Sequence, residues 1–310
     1  MTTESQIIAR LRRFATDPAA RGLADDAALL DGLVITHDTI AEGVHFLPFD
    51  PPASVGWKLV AVNLSDLAAK GATPRAALLS MAIGDPDWDE TFIGGIEAAC
   101  ESYGVSLIGG DTIALPPGAP RVLGLTAIGK AGERVPSRAG GRPSDRLWLV
   151  GTLGDSAAGL ALLQADAKAA GQLVDTYRRP VPLLAAGVAL APAATAMMDV
   201  SDGLLIDLER LCAASGCGAQ IEIGALPLSR AFIAERGQHR KARLFAATGG
   251  DDYALLAAMP ESIDPLSLSL PRPTTIAAIG KLVDAPGIAL IHDGKPVALP
   301  ASLGYEHRRP

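Results

Sequence analysis

Six aspartates of this chain stand in contexts unlike those of solvated surface charge: Asp26, Asp38, Asp66, Asp111, Asp199 and Asp202. Asp38 comes shortly after Leu33-Val34-Ile35, Asp111 after Leu107-Ile108 and a glycine pair, and Asp199 directly after Met197-Met198. A carboxylate that closes a short apolar run is predicted at a strand end, held near the rim of a sheet. Hard cations such as Mg²⁺ take oxygen ligands, and Mg²⁺ sites commonly join a few carboxylates to substrate phosphates. Singly, each acid has an ordinary explanation as a turn former or helix cap, and repetition of the context weakens it. Asn63 and Asp66 lie three apart among Leu64, Leu67 and Ala68, so a helix puts both on one face. A charge buried there has to be paired or metal-bound, although a hydrogen-bonded polar pair explains the same spacing.

The segment Met198-Asp199-Val200-Ser201-Asp202-Gly203-Leu204 reads as a strand running into a helix. Ser201 is a candidate N-cap, and the N–H groups of a new helix make an anion site. Plain capping explains the same residues. Gly109-Gly110-Asp111-Thr112 and Gly249-Gly250-Asp251-Asp252-Tyr253 are glycine pairs followed by acid. Glycine lets backbone approach a ligand closely, but a glycine turn beside a strand is common. No G-x-x-x-x-G-K-[ST], H-E-x-x-H or G-x-S-x-G occurs, which excludes a Walker-type site and two hydrolase classes. Trp57, Trp88 and Trp148 read as core, and His239 beside Arg240 and Lys241 as a surface group.

The elements that must position these residues fit two domains. The chain has 310 residues, 49% of them apolar and 4% aromatic, enough for a sizeable core of small and aliphatic side chains. A formal charge of -7 argues against a general nucleic-acid binder, which needs a basic face. Cys100, Cys212 and Cys217 form no C-x-x-C pair, so neither a disulfide framework nor a structural zinc is expected. The N-terminus lacks the apolar core of a signal peptide, and the run Ala185 to Met198, with Pro192 inside, is too short to span a bilayer. A cytoplasmic protein without membrane contact is predicted.

Helices are predicted over 4–14, 54–69, 88–103, from Asp155, and from after Ser201-Asp202-Gly203 to about Ala213. Strands are predicted over 33–36, 76–83, 105–108, 122–128, 147–150, 196–200, 253–259 and 275–279. The strand over 105–108 is expected to be buried. Strands and helices mix without strict alternation, which predicts an α+β fold. The Gly-, Pro- and Arg-rich loop Lys130 to Ser144 marks the boundary, dividing residues 1–137 from 138–310.

Taken in order, these segments resemble the thiamine-monophosphate kinases. The resemblance is carried by Asp25-Asp26-Ala27-Ala28, Asp38 to Phe46, Lys58 through Asn63 and Asp66 to Ala72, Leu107 to Thr112, Met198 to Leu204, and Gly249 to Tyr253. It implies a fold like that of aminoimidazole ribonucleotide synthetase, with an N-terminal domain that pairs in a homodimer and a C-terminal α/β domain. It implies direct transfer of the γ-phosphoryl of ATP to thiamine phosphate, in thiamine diphosphate biosynthesis, with several Mg²⁺ ions. By motif position, Asp26, Thr36, His37, Asp38, Asp66, Asp111, Asp199 and Asp202 are implied metal contacts. Gly110, Asp111, Arg138 and Ser201 are implied ATP contacts, and His45, Asp251 and Tyr305 implied substrate contacts.

Four features depart from the family pattern, one of them Glu306-His307-Arg308-Arg309 after Tyr305, where a further aromatic is often found. Ala24 stands where Gly is usual, His37 where Thr or Ser is, and Asp251 where Glu is. The chemistry nonetheless suits an acidic chain, because phosphoryl transfer rests on positioning and charge neutralisation, without a covalent nucleophile. Two other readings remain at this stage: another ATP-dependent synthetase of the same superfamily, or a nucleotide-binding regulator without turnover.

Overall fold

The computed structural model describes residues 4–116 and 118–306. After the short helix α1 (Glu4–Leu11), the first half forms a sheet from β1 (Ala28–Leu30), β2 (Leu33–Ala41), β3 (Thr73–Ile83), β4 (Ser106–Ala114) and β5 (Val122–Lys130). The strand order is β1-β2-β5-β3-β4, antiparallel except for the β3–β4 pair. Side chains alternate across a strand, so Leu123, Leu125 and Ala127 of β5 are buried while Val122 faces out. The helix α2 (Pro52–Ala69) packs on the inner face. It is apolar almost all round, as a helix enclosed on every side must be, and thirteen of its residues are buried. Against it runs α3 (Pro86–Tyr103), which starts with the Asp85 carboxylate accepting from Trp88 N–H and stops at Gly104 in the left-handed region. The two helices touch backbone to backbone: a Cβ on Gly95 would lie 2.1 Å from the Ala53 carbonyl.

The second half forms a seven-stranded sheet from β6 (Arg146–Val150), β7 (Ala196–Val200), β8 (Gly218–Glu222), β9 (Ala254–Met259), β10 (Ile276–Val283), β11 (Gly287–His292) and β12 (Lys295–Val297). Its order is β12-β11-β8-β10-β6-β9-β7. Helices α4 (Asp155–Ala165), α5 (Gln172–Arg178), α6 (Leu184–Leu190), α7 (Leu204–Ser215), α8 (Arg230–Arg236) and α9 (Arg240–Thr248) surround it. All residues of β7 and β9 are buried. Each half has its own core, and a further cluster joins Ala68 and Ala69 of α2 to Val150, Leu190 and Leu255. The halves therefore share packed apolar surface, beyond what a flexible linker would give.

Mixed strand directions in both sheets agree with the expected α+β class. Two local expectations are corrected. β2 continues to Ala41, because β5 offers it nine partners in register, so Asp38 lies inside a strand rather than at its end. β4 is an edge strand exposed along its whole length, and Asp111 lies within it. An apolar run reads alike for a buried strand and for an edge awaiting a neighbour. The apolar stretch Ala185 to Met198 divides into α6 and β7. Ala24 adopts φ −120°, which an alanine accepts without strain, so replacing the usual glycine costs nothing there.

Candidate active site

The site is built where three elements converge: the Asp25-Asp26 turn before β1, the face of α2 carrying Asn63 and Asp66, and the end of β7 at Asp199. Carboxylate oxygens of Asp26, Asp66 and Asp199 lie within 4.8 Å of one another. Asp38 is keyed to the same helix face, its N–H donating to Asn63 Oδ1 at 2.9 Å. The Thr36 hydroxyl donates to Asp66 Oδ2 in a short bond. On the far side, Ser65 Oγ donates to Asp199 Oδ2 at 2.6 Å.

Crowded, buried acids resist ionisation. Burial, then the charges of Asp26 and Asp202, pushes the Asp38 carboxyl up to about 6. Burial, then Asp26, pushes Asp199 up to about 8. Asp66 is raised well above the carboxylate range by burial and by Asp38, Asp199 and Asp26. Asp26 goes the other way. Burial alone would raise it, but Lys70 and Arg138 outweigh burial and hold it ionised.

Those two cations are unequal partners. Lys70, at the end of α2, is fully buried, with Nζ 2.5 Å from Asp25 Oδ1, 2.6 Å from Asp26 Oδ2 and 3.1 Å from the Met197 carbonyl. Arg138 is partly exposed and donates from Nε to Asp26 Oδ1 at 2.7 Å. Neither Lys70 nor Ser65 stands out in the sequence. A basic residue in a helix's last turn reads as a complement to its dipole, and the available signal was a lone lysine four residues after Asp66 on an apolar helix.

The turn after β7 differs from expectation. α7 starts at Leu204 with Gly203 as N-cap, and Ser201 does not cap it. The N–H groups of Ser201, Asp202 and Gly203 all donate to Asp207 Oδ2, at 3.1, 3.1 and 3.2 Å. The predicted anion nest is thus filled by a carboxylate of the chain's own helix. Asp207 is raised to about 7 by burial, then by Asp202, and Arg210 pairs with both Asp207 and Asp202.

Asp111 does not join the cage within one chain. The cross-strand row Asp38–Leu125–Leu79–Gly110 puts three strand spacings between β2 and β4, roughly 14 Å at ordinary strand separation. Asp111 itself pairs with Ser80, on the row after Gly110. Gly110 is needed for that pairing, since a Cβ there would lie 1.9 Å from the Leu79 carbonyl. The His37 side chain alternates to the sheet's outer face, where Nδ1 lies 2.9 Å from Thr126 Oγ1.

Two of the residues implied for the substrate, Asp251 and Tyr305, lie beside the turn. Asp251 N–H donates to the Ser201 carbonyl at 2.7 Å, and Tyr305 N–H to the Asp202 carbonyl at 2.9 Å. His45 Nδ1 accepts from Ala41 N–H at 3.0 Å, so the neutral ring carries its proton on Nε2.

A set of carboxylates with only oxygen donors, Asp199 buried and Asp26 and Asp66 half-buried, fits a hard cation such as Mg²⁺. The three cysteines are buried as free thiols and contribute nothing to it. The fold and this cage together define an AIR synthase-related protein: residues 24–131 match the N-terminal domain of that family and residues 142–293 its C-terminal domain. Arg138 lies between the two matches.

The match is closer than the class. The chain is 40% identical to the thiamine-monophosphate kinase of Escherichia coli K12, over 92% of this chain and 91% of that one. To the thiamine-monophosphate kinase of Caulobacter vibrioides it is 37% identical, over 98% and 91%. The solved structure of AaThiL complexed with AMPPCP and TMP superposes with a TM-score of 0.85 at 30% identity, covering 99% of this chain and 97% of that one. The chain belongs to the thiamine-monophosphate kinase family.

Proposed function

We propose that the chain transfers the γ-phosphoryl group of ATP directly to the phosphate of thiamine phosphate, giving thiamine diphosphate and ADP. The observation that carries this reading is the cage of Asp26, Asp66 and Asp199 in a chain 40% identical to such a kinase. Asp38 and Asp202 complete the ligand set, with Thr36 and the main chain of His37 beside it. Bound Mg²⁺ would neutralise the facing phosphates of the two substrates, which is most of what this reaction asks of a catalyst. An acceptor phosphate oxygen bonds to the γ-phosphorus as the bond to the β,γ-bridging oxygen breaks. The acceptor is already ionised, so no general base is needed. Arg138 and Ser201 face ATP, while His45, through Nε2–H, Asp251 and Tyr305 hold thiamine phosphate. The buried thiols suit a reducing, cytoplasmic compartment.

A product assay by mass spectrometry, with ATP and a panel of phosphorylated acceptors, tests the reading. Thiamine diphosphate and ADP are expected in equal amounts, with thiamine phosphate alone and only when Mg²⁺ is present. Turnover of a different acceptor would mark another synthetase of the superfamily. Binding of a non-hydrolysable ATP analogue with no transfer would mark a regulator.

The same reading takes the chain as a homodimer whose active site both copies build. An exposed edge strand with apolar side chains invites pairing. On β4, Leu107, Ile108 and Ile113 are 51%, 60% and 50% exposed, and Leu33, Leu78 and Val122 elsewhere on the sheet are exposed too. Asp111 sits on that edge, too far from its own Asp38, and so serves the cage of the second copy. Mixing Asp66→Asn with Asp111→Asn chains, each inactive alone, is expected to recover about a quarter of wild-type activity, because a hybrid two-fold dimer regains one intact site. Mixtures as inactive as their parents would place Asp111 in the site of its own chain, and an active Asp111→Asn parent would place it outside the site.

A further inference from the structure

Lys58 is a buried ammonium that the reaction does not use. It lies on α2, 2% exposed. The void beside it, bounded by Phe46, Asp50, Val55 and Tyr177, has no room for a water molecule. An ammonium taken out of water must hand its protons to protein acceptors. Nζ donates to the His45 carbonyl at 2.9 Å and to Asp251 Oδ2 at 2.8 Å, and it lies 4.2 Å from the centroid of the Tyr177 ring. These partners come from the loop after β2, the turn before β9, and α5. One lysine thus fastens two parts of the second half to the first.

The grip on Asp251 is complete. Its other oxygen, Oδ1, accepts from the Tyr253 hydroxyl at 2.8 Å. Asp251 and Tyr253 have φ of +66° and +51°, values side-chain-bearing residues seldom adopt. Main-chain bonds to the Ser201 and Val200 carbonyls hold that turn in place. The shorter side chain of aspartate therefore reaches Lys58 and Tyr253 with both oxygens.

We propose that Lys58 is a positioning residue for the acceptor substrate: its ammonium fixes His45 and Asp251 relative to each other across the junction of the two halves. This rests on the reading, given above, that His45 and Asp251 contact thiamine phosphate. Lys58 acts through those two residues, so its removal loosens the acceptor's seat and leaves the ATP side as it was.

The test is steady-state kinetics on Lys58→Met, Lys58→Arg, Asp251→Asn, His45→Ala and the Lys58→Met/Asp251→Asn double variant. For Lys58→Met, the KM for thiamine phosphate is expected to rise about tenfold or more, the KM for ATP to stay within about twofold, and kcat to fall less than kcat/KM. Lys58→Arg keeps the charge and restores part of the loss. The double variant is expected to be no worse than the worse single one, since coupled residues do not add. Equal rises in both KM values, or additive losses, would overturn the proposal. Should Lys58→Met fail to fold, Lys58→Arg and Asp251→Asn decide: a selective rise in the KM for thiamine phosphate in both supports the clamp, and its absence in Lys58→Arg alone overturns it. An unchanged KM in both Asp251→Asn and His45→Ala would instead overturn the substrate placement on which the clamp rests.

Discussion

Asp66→Asn is expected to lower kcat by roughly 10²–10³-fold, the scale of losing one preorganised electrostatic group, while the Mg²⁺-free protein unfolds at the same temperature or a higher one. The two effects part because Asp66 is poorly placed as a structural charge. It is half-buried, its carboxyl is raised well above the carboxylate range by desolvation, and it is faced by Asp38, Asp199 and Asp26. Asparagine keeps an oxygen for the Thr36 hydroxyl and cannot ionise among the repelling acids at any pH. The position matters for holding a cation, and folding alone would be easier without the charge.

The pH dependence follows from the same acids. A carboxyl whose folded pKa is raised above its unfolded value of about 4 binds more protons folded than unfolded between the two values, so stability falls as pH rises through that interval. The interval ends near 6 for Asp38 and near 8 for Asp199. Asp26, held below its ordinary value, has the opposite sign and loses its contribution only in stronger acid. The wild-type protein without Mg²⁺ should therefore be less stable at about pH 8.5 than at about pH 6, and Mg²⁺ should restore most at the higher pH. Asp66→Asn should flatten that difference. Thermal unfolding with and without Mg²⁺, beside a turnover assay, measures both. Matched losses of melting temperature and activity would make Asp66 structural and remove the basis for the cage.

Lys70→Met is the opposite case. Breaking a buried ion pair by deleting one partner costs about 3–5 kcal/mol, because the other charge is left stranded. Lys70 has no exposed side-chain surface and serves two carboxylates, Asp25 and Asp26, whose side chains are 1% and 0% exposed. Arg21 and Arg138 would remain as partners, each on one side only. Urea unfolding followed by tryptophan fluorescence should show a shift of that size, one that Mg²⁺ does not reverse. A loss below about 1 kcal/mol would mean that the site relaxes to let water in, as at an exposed pair. Set side by side, Asp66→Asn should give a stable, inactive protein, and Lys70→Met an unstable one.

The elements that position the cage were legible to different degrees. α2 and β7 could be placed because α2 is a long apolar segment stopped by Gly71 and β7 is a run of buried apolar residues. α5, β8, β11 and β12 were not, since runs of three to seven residues carry too few repeats of a period to register. The face shared by Asn63 and Asp66 followed from helical spacing alone, and the Asn63–Asp38 bond bears it out. The N-cap role of Ser201 failed, because Asp207, one turn into α7, takes the N–H groups that an N-cap or a phosphate would have taken. A carboxylate several residues downstream can compete for those donors only once the helix exists.

By itself the sequence determined which residue types are available and their order: oxygen ligands for a hard cation, no P-loop, no covalent nucleophile, and segments ordered as in one kinase family. Tertiary structure alone decided which aspartates meet. Asp26, Asp66 and Asp199 come from positions up to 173 residues apart and converge because two halves share a core along α2. Asp111, equally prominent in the sequence, ends on the edge of its sheet, three strands from Asp38. Lys58 and Lys70 acquire their roles in the same way: burial strips water from an ammonium, and what replaces that water is chosen by segments far along the chain, beyond the reach of any local pattern.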